Sequence, residues 1–152
     1  MSHGRPPIRE VSMALRQLVI GWERFREKAA AELDVGTTEV VALAYLYHDG
    51  PLTPRDLGHL LNLTSGSVTA LLDRLEGSGF VSRAHNPDDR RSLLASATPA
   101  GRHAVLWYYE RLDGIIAGEL HRVPDLPVQA LIEVATATGA ALTAYANETA
   151  EG

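Results

Sequence analysis

The residues whose types and spacing could do chemistry lie between positions 64 and 91. Thr64, Ser65, Ser67 and Thr69 place four hydroxyls within six residues, beside the small Ala70 and ahead of Asp73 and Arg74. Val68, Leu71, Leu72 and Leu75 are interleaved with them at steps of three, one and three, so on a helix the apolar set makes one face and the hydroxyls lie nearer the other. A slim hydroxyl-bearing helix face enters a major groove without steric obstruction, and Ser and Thr bond to bases or phosphates alike. Farther on comes Asp88-Asp89-Arg90-Arg91, preceded by the turn-forming Asn86-Pro87. An arginine fixed at a hairpin tip reaches an adjacent minor groove, where narrow A·T-rich segments concentrate negative potential. Asp89, two residues before Arg91, lies on the same side of an extended backbone and is expected to hold the guanidinium by a charge-assisted pair. Arg55 and Arg74 are expected to meet phosphates. Arg83, Arg90 and Arg91 cluster on the same hairpin, with Arg102 beside it. The candidate DNA-contacting set is therefore Arg55, Thr64, Ser65, Ser67, Thr69, Ala70, Arg74, Arg83, Asp89, Arg90 and Arg91.

Each of these features has a plainer reading. A charged hairpin tip is also an ordinary solvated turn that protects a strand edge; what favours DNA is the helix pair directly upstream. Ser65-Gly66-Ser67 lacks the strand-turn-helix setting and the ordered Asp and His partners of a nucleophile turn, so no catalytic set is expected and the chain is read as a non-enzyme. His48, His59, His85, His103 and His121 include no pair at the four-residue spacing of a helical metal site, and no metal or other cofactor is expected. Trp22, Phe25, Tyr45, Tyr47 and Trp107-Tyr108-Tyr109 could line a small-molecule pocket, yet aromatics at helix junctions are commonly core.

The elements that must position these residues follow from punctuation and periodicity. Thr53-Pro54 is an N-cap followed by a first-turn proline, and Leu57, Leu60 and Leu61 share a side of the short helix it opens. Asn62-Leu63-Thr64 breaks the pattern within three residues, as a tight helix-to-helix turn requires, and Thr64 caps the next helix. Gly77 and Gly79 are expected to supply the left-handed turn that ends it. Phe80–Ala84 and Ser92–Ala97 read as the two strands of a wing. Thr98-Pro99 repeats the cap-plus-proline device and starts a long helix running to about Arg122. Upstream, Ile8, Val11, Leu15, Leu18, Trp22, Phe25 and Ala29 step by three and four, a heptad-like stripe on a helix ending near Leu33. A second helix follows Gly36-Thr37-Thr38 and stops at Asp49-Gly50-Pro51. Pro124 and Pro127 bracket the start of a last, Ala-rich helix marked by Leu131, Val134, Ala141, Leu142 and Tyr145.

The run from Leu57 to Gly101 resembles the MarR family of winged-helix transcription regulators. The matching pieces are Val68-Thr69-Ala70-Leu71-Leu72-Asp73-Arg74-Leu75-Glu76, then Gly79-Phe80-Val81-Ser82-Arg83, Pro87-Asp88-Asp89-Arg90-Arg91-Ser92 and Thr98-Pro99-Ala100-Gly101-Arg102, in order and at matching spacing over about a third of the chain. The resemblance implies that Asp89 and Arg91 form the wing's DNA-contacting element and that Thr64 to Gly77 is the recognition helix. It also implies a small aromatic or anionic ligand held between dimerisation helices and the winged domain. Two departures stand out. Ser65 and Ser67 occupy positions where many relatives carry a basic residue, which removes bidentate arginine-to-guanine readout from that end. Ala95 and Ala97 replace bulkier aliphatics on the return strand.

A chain of 152 residues suffices for one compact domain plus oligomerisation helices. The expected fold class is mainly α with a small β-wing: an N-terminal dimerisation helix over 1–36, a winged helix-turn-helix over 37–101 and C-terminal dimerisation helices over 102–152. The first and last helices carry more apolar surface than a small winged core can cover, which favours a homodimer whose two recognition helices address a near-palindrome one turn apart, about 34 Å. No run approaches the length of a membrane span, the N-terminal MSHGRPPIRE has no hydrophobic signal region, and a cytoplasmic location is expected. The absence of cysteine excludes disulfides and thiol redox sensing. The net charge of −5 belongs entirely to Val105–Gly152, with seven acids and two bases; the first 104 residues are neutral overall. Phosphate affinity depends on the local basic patch, so the acidic total does not argue against DNA. The functional expectation is a DNA-binding transcriptional regulator, a ligand-responsive repressor binding as a homodimer. The alternative is a winged helix used for protein–protein contact without an operator of its own.

Overall fold

The computed structural model describes residues 7–87, 89 and 91–148; two residues of the wing tip, Asp88 and Arg90, lie outside that set. Among the described residues, six helices and one two-stranded sheet follow one another: α1 (Ile8–Glu32), α2 (Thr37–His48), α3 (Pro54–Leu61), α4 (Ser65–Gly77), β1 (Val81–His85), β2 (Leu93–Ala97), α5 (Pro99–Leu120) and α6 (Val128–Glu148). The architecture is mainly helical with a small β-wing, as the periodicities predict. It falls into two compact units that divide inside α5, between Arg111 and Leu112.

In the first unit, the core sits where α2, α3, α4 and the wing meet. Leu43, Leu57, Leu71, Leu72, Leu75 and Val68 are fully buried, and Leu46, Val81, Ala95 and Val105 close the cluster around them. Burying one such side chain contributes roughly 1.5–3 kcal/mol, so the apolar face of α4 anchors the opposite, polar face rigidly. Strands β1 and β2 pair antiparallel, with Val81 opposite Ala97 and His85 opposite Leu93. Leu52 adds a short third edge through paired backbone bonds with Ala95 (3.0 and 2.8 Å). The small side chain of Ala95, wholly buried, lies at this crowded junction.

The end of α4 departs from the expected two-glycine turn. Gly77 is still helical, and Gly79 alone takes the left-handed conformation, with φ at +76°. The closure is a Schellman motif: Gly79 donates to the Glu76 carbonyl and Phe80 to that of Leu75, each at 2.9 Å. Because the Phe80 N–H is spent on the helix, β1 begins one residue later, at Val81. The wing then returns to α5 through Thr98, whose hydroxyl donates to the Gly79 carbonyl (2.7 Å) and accepts from the Gly101 N–H (3.0 Å).

Aromatic side chains of α1, α2 and α5 pack on one another. Phe25 and Tyr108 lie 5.1 Å apart by ring centroid, Tyr108 and Tyr109 5.5 Å, and Tyr109 and His48 5.4 Å, with a 2.9 Å hydrogen bond joining His48 Nε2 and the Tyr109 hydroxyl. These residues form a packed layer, and Trp107 lies under the Arg111 guanidinium at 4.3 Å. The apolar stripe of α1 reaches that layer only at its C-terminal end. Ala29 is buried and Phe25 half-buried, while Ile8, Val11, Leu15, Leu18 and Trp22 are exposed.

The second unit contains the end of α5 and the whole of α6, joined by a turn in which Val123 donates to Leu120 and Leu126 to Val123, both at 3.1 Å. It exposes Ile115, Ile116, Leu131, Ile132, Val134 and Leu142. No helix among the described residues is long and apolar enough to cross a membrane.

Candidate nucleic-acid interface

The helix-turn-helix is built by caps and one close approach. Thr53 opens α3 by accepting from the Asp56 N–H (3.1 Å), with Pro54 at the first helical position. Asn62, at φ +52°, ends α3 in the left-handed conformation. Gly58 faces the next helix: a methyl group there would lie 3.1 Å from Val68 Cγ2 and 3.3 Å from the Leu63 carbonyl. Thr64 then caps α4 by accepting from the Ser67 N–H (3.3 Å).

This places Ser65, Gly66, Ser67, Thr69, Ala70, Asp73 and Arg74 on the exposed side of α4, opposite Val68, Leu71, Leu72 and Leu75. The hydroxyls are partly committed. Thr69 donates its proton to the Ser65 carbonyl (3.0 Å), so toward a base edge it presents lone pairs and a methyl group. Ser67 and Thr64 share a hydrogen bond of 2.9 Å. Gly66 adds a place with open space where a Cβ would stand, so a nucleic-acid backbone can come close there; sequence periodicity did not single it out. Between α3 and the start of α4 lies an open hollow of about 310 Å³, edged by Arg55, His59, Ser65 and Thr69. Arg55 is exposed on α3 beside it.

Two arginines from the candidate set are engaged within the chain. Arg74 Nε pairs with Glu39 Oε1, although its side chain remains 61% exposed. Among the described residues Glu39 is the one buried charged side chain; it also accepts from the Gly36 N–H (2.7 Å) at the start of α2. A capping acid three residues after Gly36 is legible from spacing, whereas its second partner, 35 residues away, is not. Arg83, on β1, donates through Nε and Nη2 to Glu76 Oε2 (3.0 and 2.5 Å) and through Nη2 to Asp73 Oδ1 (2.7 Å). These hydrogen bonds to carboxylates, Glu76 foremost, raise the Arg83 pKa still further. Its side chain is only 23% exposed, so Arg83, a member of the candidate DNA-contacting set, is engaged by α4.

The wing tip closes through Asn86, which donates to the Ser92 carbonyl (3.0 Å), and Ser92, which donates to that of Asp89 (2.9 Å). Asp89 departs from the role expected of it. Its Oδ1 accepts from the backbone N–H of Arg91 (3.0 Å), and among the described residues no ion pair joins the two side chains. The turn brings the N–H two residues on within reach of the carboxylate, as short acidic side chains commonly do. Arg91 itself is exposed. The candidate contact at Arg90 lies outside the described residues. Arg102 Nη1 donates to the Ala97 carbonyl (2.6 Å) at the base of the wing.

Residues 37–93 match the model of the MarR family. The uncharacterized HTH-type transcriptional regulator YcgE of Bacillus subtilis is 41% identical over 81 residues, 53% of this chain and 53% of that protein. The chain thus spans about half the length of the curated relatives it matches. Among solved structures, a MarR family protein from Bacillus stearothermophilus superposes with a TM-score of 0.78 at 19% identity, covering 90% of this chain and 95% of that one. A MepR–DNA complex from S. aureus superposes at 0.61 and 21% identity, over 74% of this chain and 92% of the other. These two likenesses concern the fold.

Proposed function

We propose, from the match of residues 37–93 to the MarR family, that the chain binds double-stranded DNA as a twofold homodimer and regulates transcription, as a repressor whose hold on a near-palindromic operator responds to a small ligand. The observation that carries the reading is the exposed side of α4, where six consecutive residues from Ser65 to Ala70 contain no long or charged side chain and only Val68 turns inward. Such a face fits a major groove. Ser65, Ser67, Thr69 and Ala70 would meet base edges there, with Thr64 and Arg55 at the neighbouring backbone. Arg74 keeps its terminal nitrogens available for a phosphate. Arg91, with Arg90 beside it, would enter the minor groove from the wing, and Asp89 would set the turn that carries it. The similarly folded MepR of S. aureus forms a complex with DNA, which supports DNA as the partner.

The dimer rests on the uncovered apolar residues of α1 and, separately, of the second unit. For the ligand, a cavity of about 230 Å³ lies among Arg26, Thr37, Thr38, Val41, Leu60 and Leu61. The Arg26 Nε is buried there without a hydrogen-bond partner among the described residues. A guanidinium beside the apolar Val41, Leu60 and Leu61 suits a small aromatic carboxylate. Its binding would bias the dimer between DNA-competent and incompetent spacings of the two recognition helices.

A gel-shift selection with genomic fragments of the source organism at two salt concentrations tests the central reading. A discrete set of fragments should be retained at low salt and lost steeply as salt rises, because phosphate contacts release counterions. Retention of no fragment at low salt would overturn it and favour a protein partner for the same face.

A further inference from the structure

We propose that Arg83 is a positioning residue: it clamps the wing to the recognition helix and so determines where Arg91 meets DNA, without itself meeting a phosphate. Arg83 is the central residue of β1, opposite Ala95. Its guanidinium holds Glu76 through two nitrogens and Asp73 through one, at 2.5–3.0 Å. Asp73 and Glu76 are three residues apart on α4, so a single planar fork spans one turn of the recognition helix. One cation between two anions leaves the cluster with a net negative charge, and an approaching phosphate is repelled there. The wing needs such a fastener. It is a two-stranded ribbon, an element that is marginal by itself and prone to twist. Its backbone tie through Ala95 to Leu52 is on the β2 side; on the β1 side, beyond the buried Val81, Arg83 holds the strand to α4. From Arg83 the strand runs two residues to His85 and then into the turn that presents Arg91.

The inference rests on the DNA-binding reading and is tested so that the two can fail separately. The chain carrying Asp73→Asn and Glu76→Gln is compared with the native chain, each with and without Arg91→Ala, on a fragment retained in the gel-shift selection. In the native background Arg91→Ala should weaken binding at least tenfold. In the neutralised background it should cost less than threefold, because the loosened wing no longer delivers Arg91. Arg83→Lys, which keeps the charge but loses the fork, should behave like the neutralised variant; a phosphate contact at position 83 would instead survive the change to lysine. Amide hydrogen exchange should quicken at least tenfold across residues 81–97 in the neutralised chain while that of α2 and α3 stays unchanged. An undiminished Arg91→Ala penalty, or unchanged hairpin exchange, would overturn the clamp. If Arg91→Ala is harmless even in the native background, the wing's DNA role fails, and hydrogen exchange alone decides whether the clamp exists.

Discussion

Arg91 and Asp89 illustrate how one residue's work can be divided with its neighbour. The carboxylate holds the backbone N–H of Arg91 at 3.0 Å, which fixes where the side chain leaves the turn but leaves the guanidinium itself unengaged by Asp89. Arg91→Ala is therefore expected to weaken operator binding at least tenfold, about 1.4 kcal/mol, and to lower the dependence on log salt by roughly one unit, as the loss of a single ionic contact should. Isothermal binding at three or more salt concentrations measures both. A second substitution separates the observed role of Asp89 from the expected one. Asparagine also accepts a backbone N–H two residues on, so Asp89→Asn should stay within threefold of the native affinity, while Asp89→Ala should approach the Arg91→Ala loss. Were the carboxylate needed as a counter-charge, asparagine and alanine would be equally damaging. The types and order of these residues were legible from the sequence. Their pairing was not: whether an acid two residues away meets a side chain or an amide depends on the turn's dihedral angles. Likewise Arg74 and Arg83 read as free cations until Glu39 on α2 and the acids of α4 were brought beside them by packing.

At the scale of elements, the helices could be read nearly to the residue because each begins with a cap or proline and carries an apolar face. The junction between the wing and α5 could not. Thr98-Pro99 announces a helix, yet why Gly101 follows is a matter of tertiary approach. The Phe80 carbonyl, which accepts from the Thr98 N–H at 3.0 Å, occupies the space that a Cβ at position 101 would need. The obstacle is backbone, already fixed by the Schellman closure of α4, and cannot swing aside as a side chain would. Gly101→Ala should therefore destabilise the fold by about 3 kcal/mol, at the upper end for overpacking, and lower the thermal midpoint by roughly 6–12 °C in a chain of this size. Gly66→Ala, with open space around it, should change the midpoint little and serves as the control. Calorimetry on the two variants checks both. The aromatic layer gives a pH prediction. Burial raises the pKa of Tyr108 and of Tyr109 above the ordinary phenol value. A tyrosine whose folded pKa is raised contributes its full stability below the unfolded value of about 10 and loses it as pH rises through the folded value. Unfolding midpoints should thus fall above pH 10, and Tyr108→Phe should flatten that fall.

For the whole molecule, the argument turns on what the apolar stripe of α1 is for. Its three-and-four spacing was evident in the sequence, but the sequence alone left open whether the chain covers it internally. In the folded chain Leu18 is 61% exposed and Ile8 likewise, while burial begins only around Phe25 and Ala29. A stripe left open over four turns is costly in water, and a second copy related by a twofold axis would bury the same stripe on both chains at once. The charge distribution agrees with a division of labour. The whole net charge of −5 lies beyond residue 104, so the C-terminal segment read as dimerising is one that phosphates repel, whereas α1 is not acidic. Leu18→Glu puts a charge in the middle of that stripe without touching the buried core of the winged domain. Its expected outcome is specific. Sedimentation at micromolar concentration should shift from a dimer to a monomer, and affinity for the retained fragment should fall at least a hundredfold because one reading head no longer fixes the position of the other. Hydrogen-exchange protection of α3 and α4 should survive, since the helix-turn-helix packs on its own leucines. Leu93→Glu, which charges an exposed wing residue, should leave the mass unchanged. A Leu18→Glu chain that still sediments as a dimer and binds DNA like the native one would remove α1 from the interface, and with it the geometry that places two recognition helices on successive turns of one duplex.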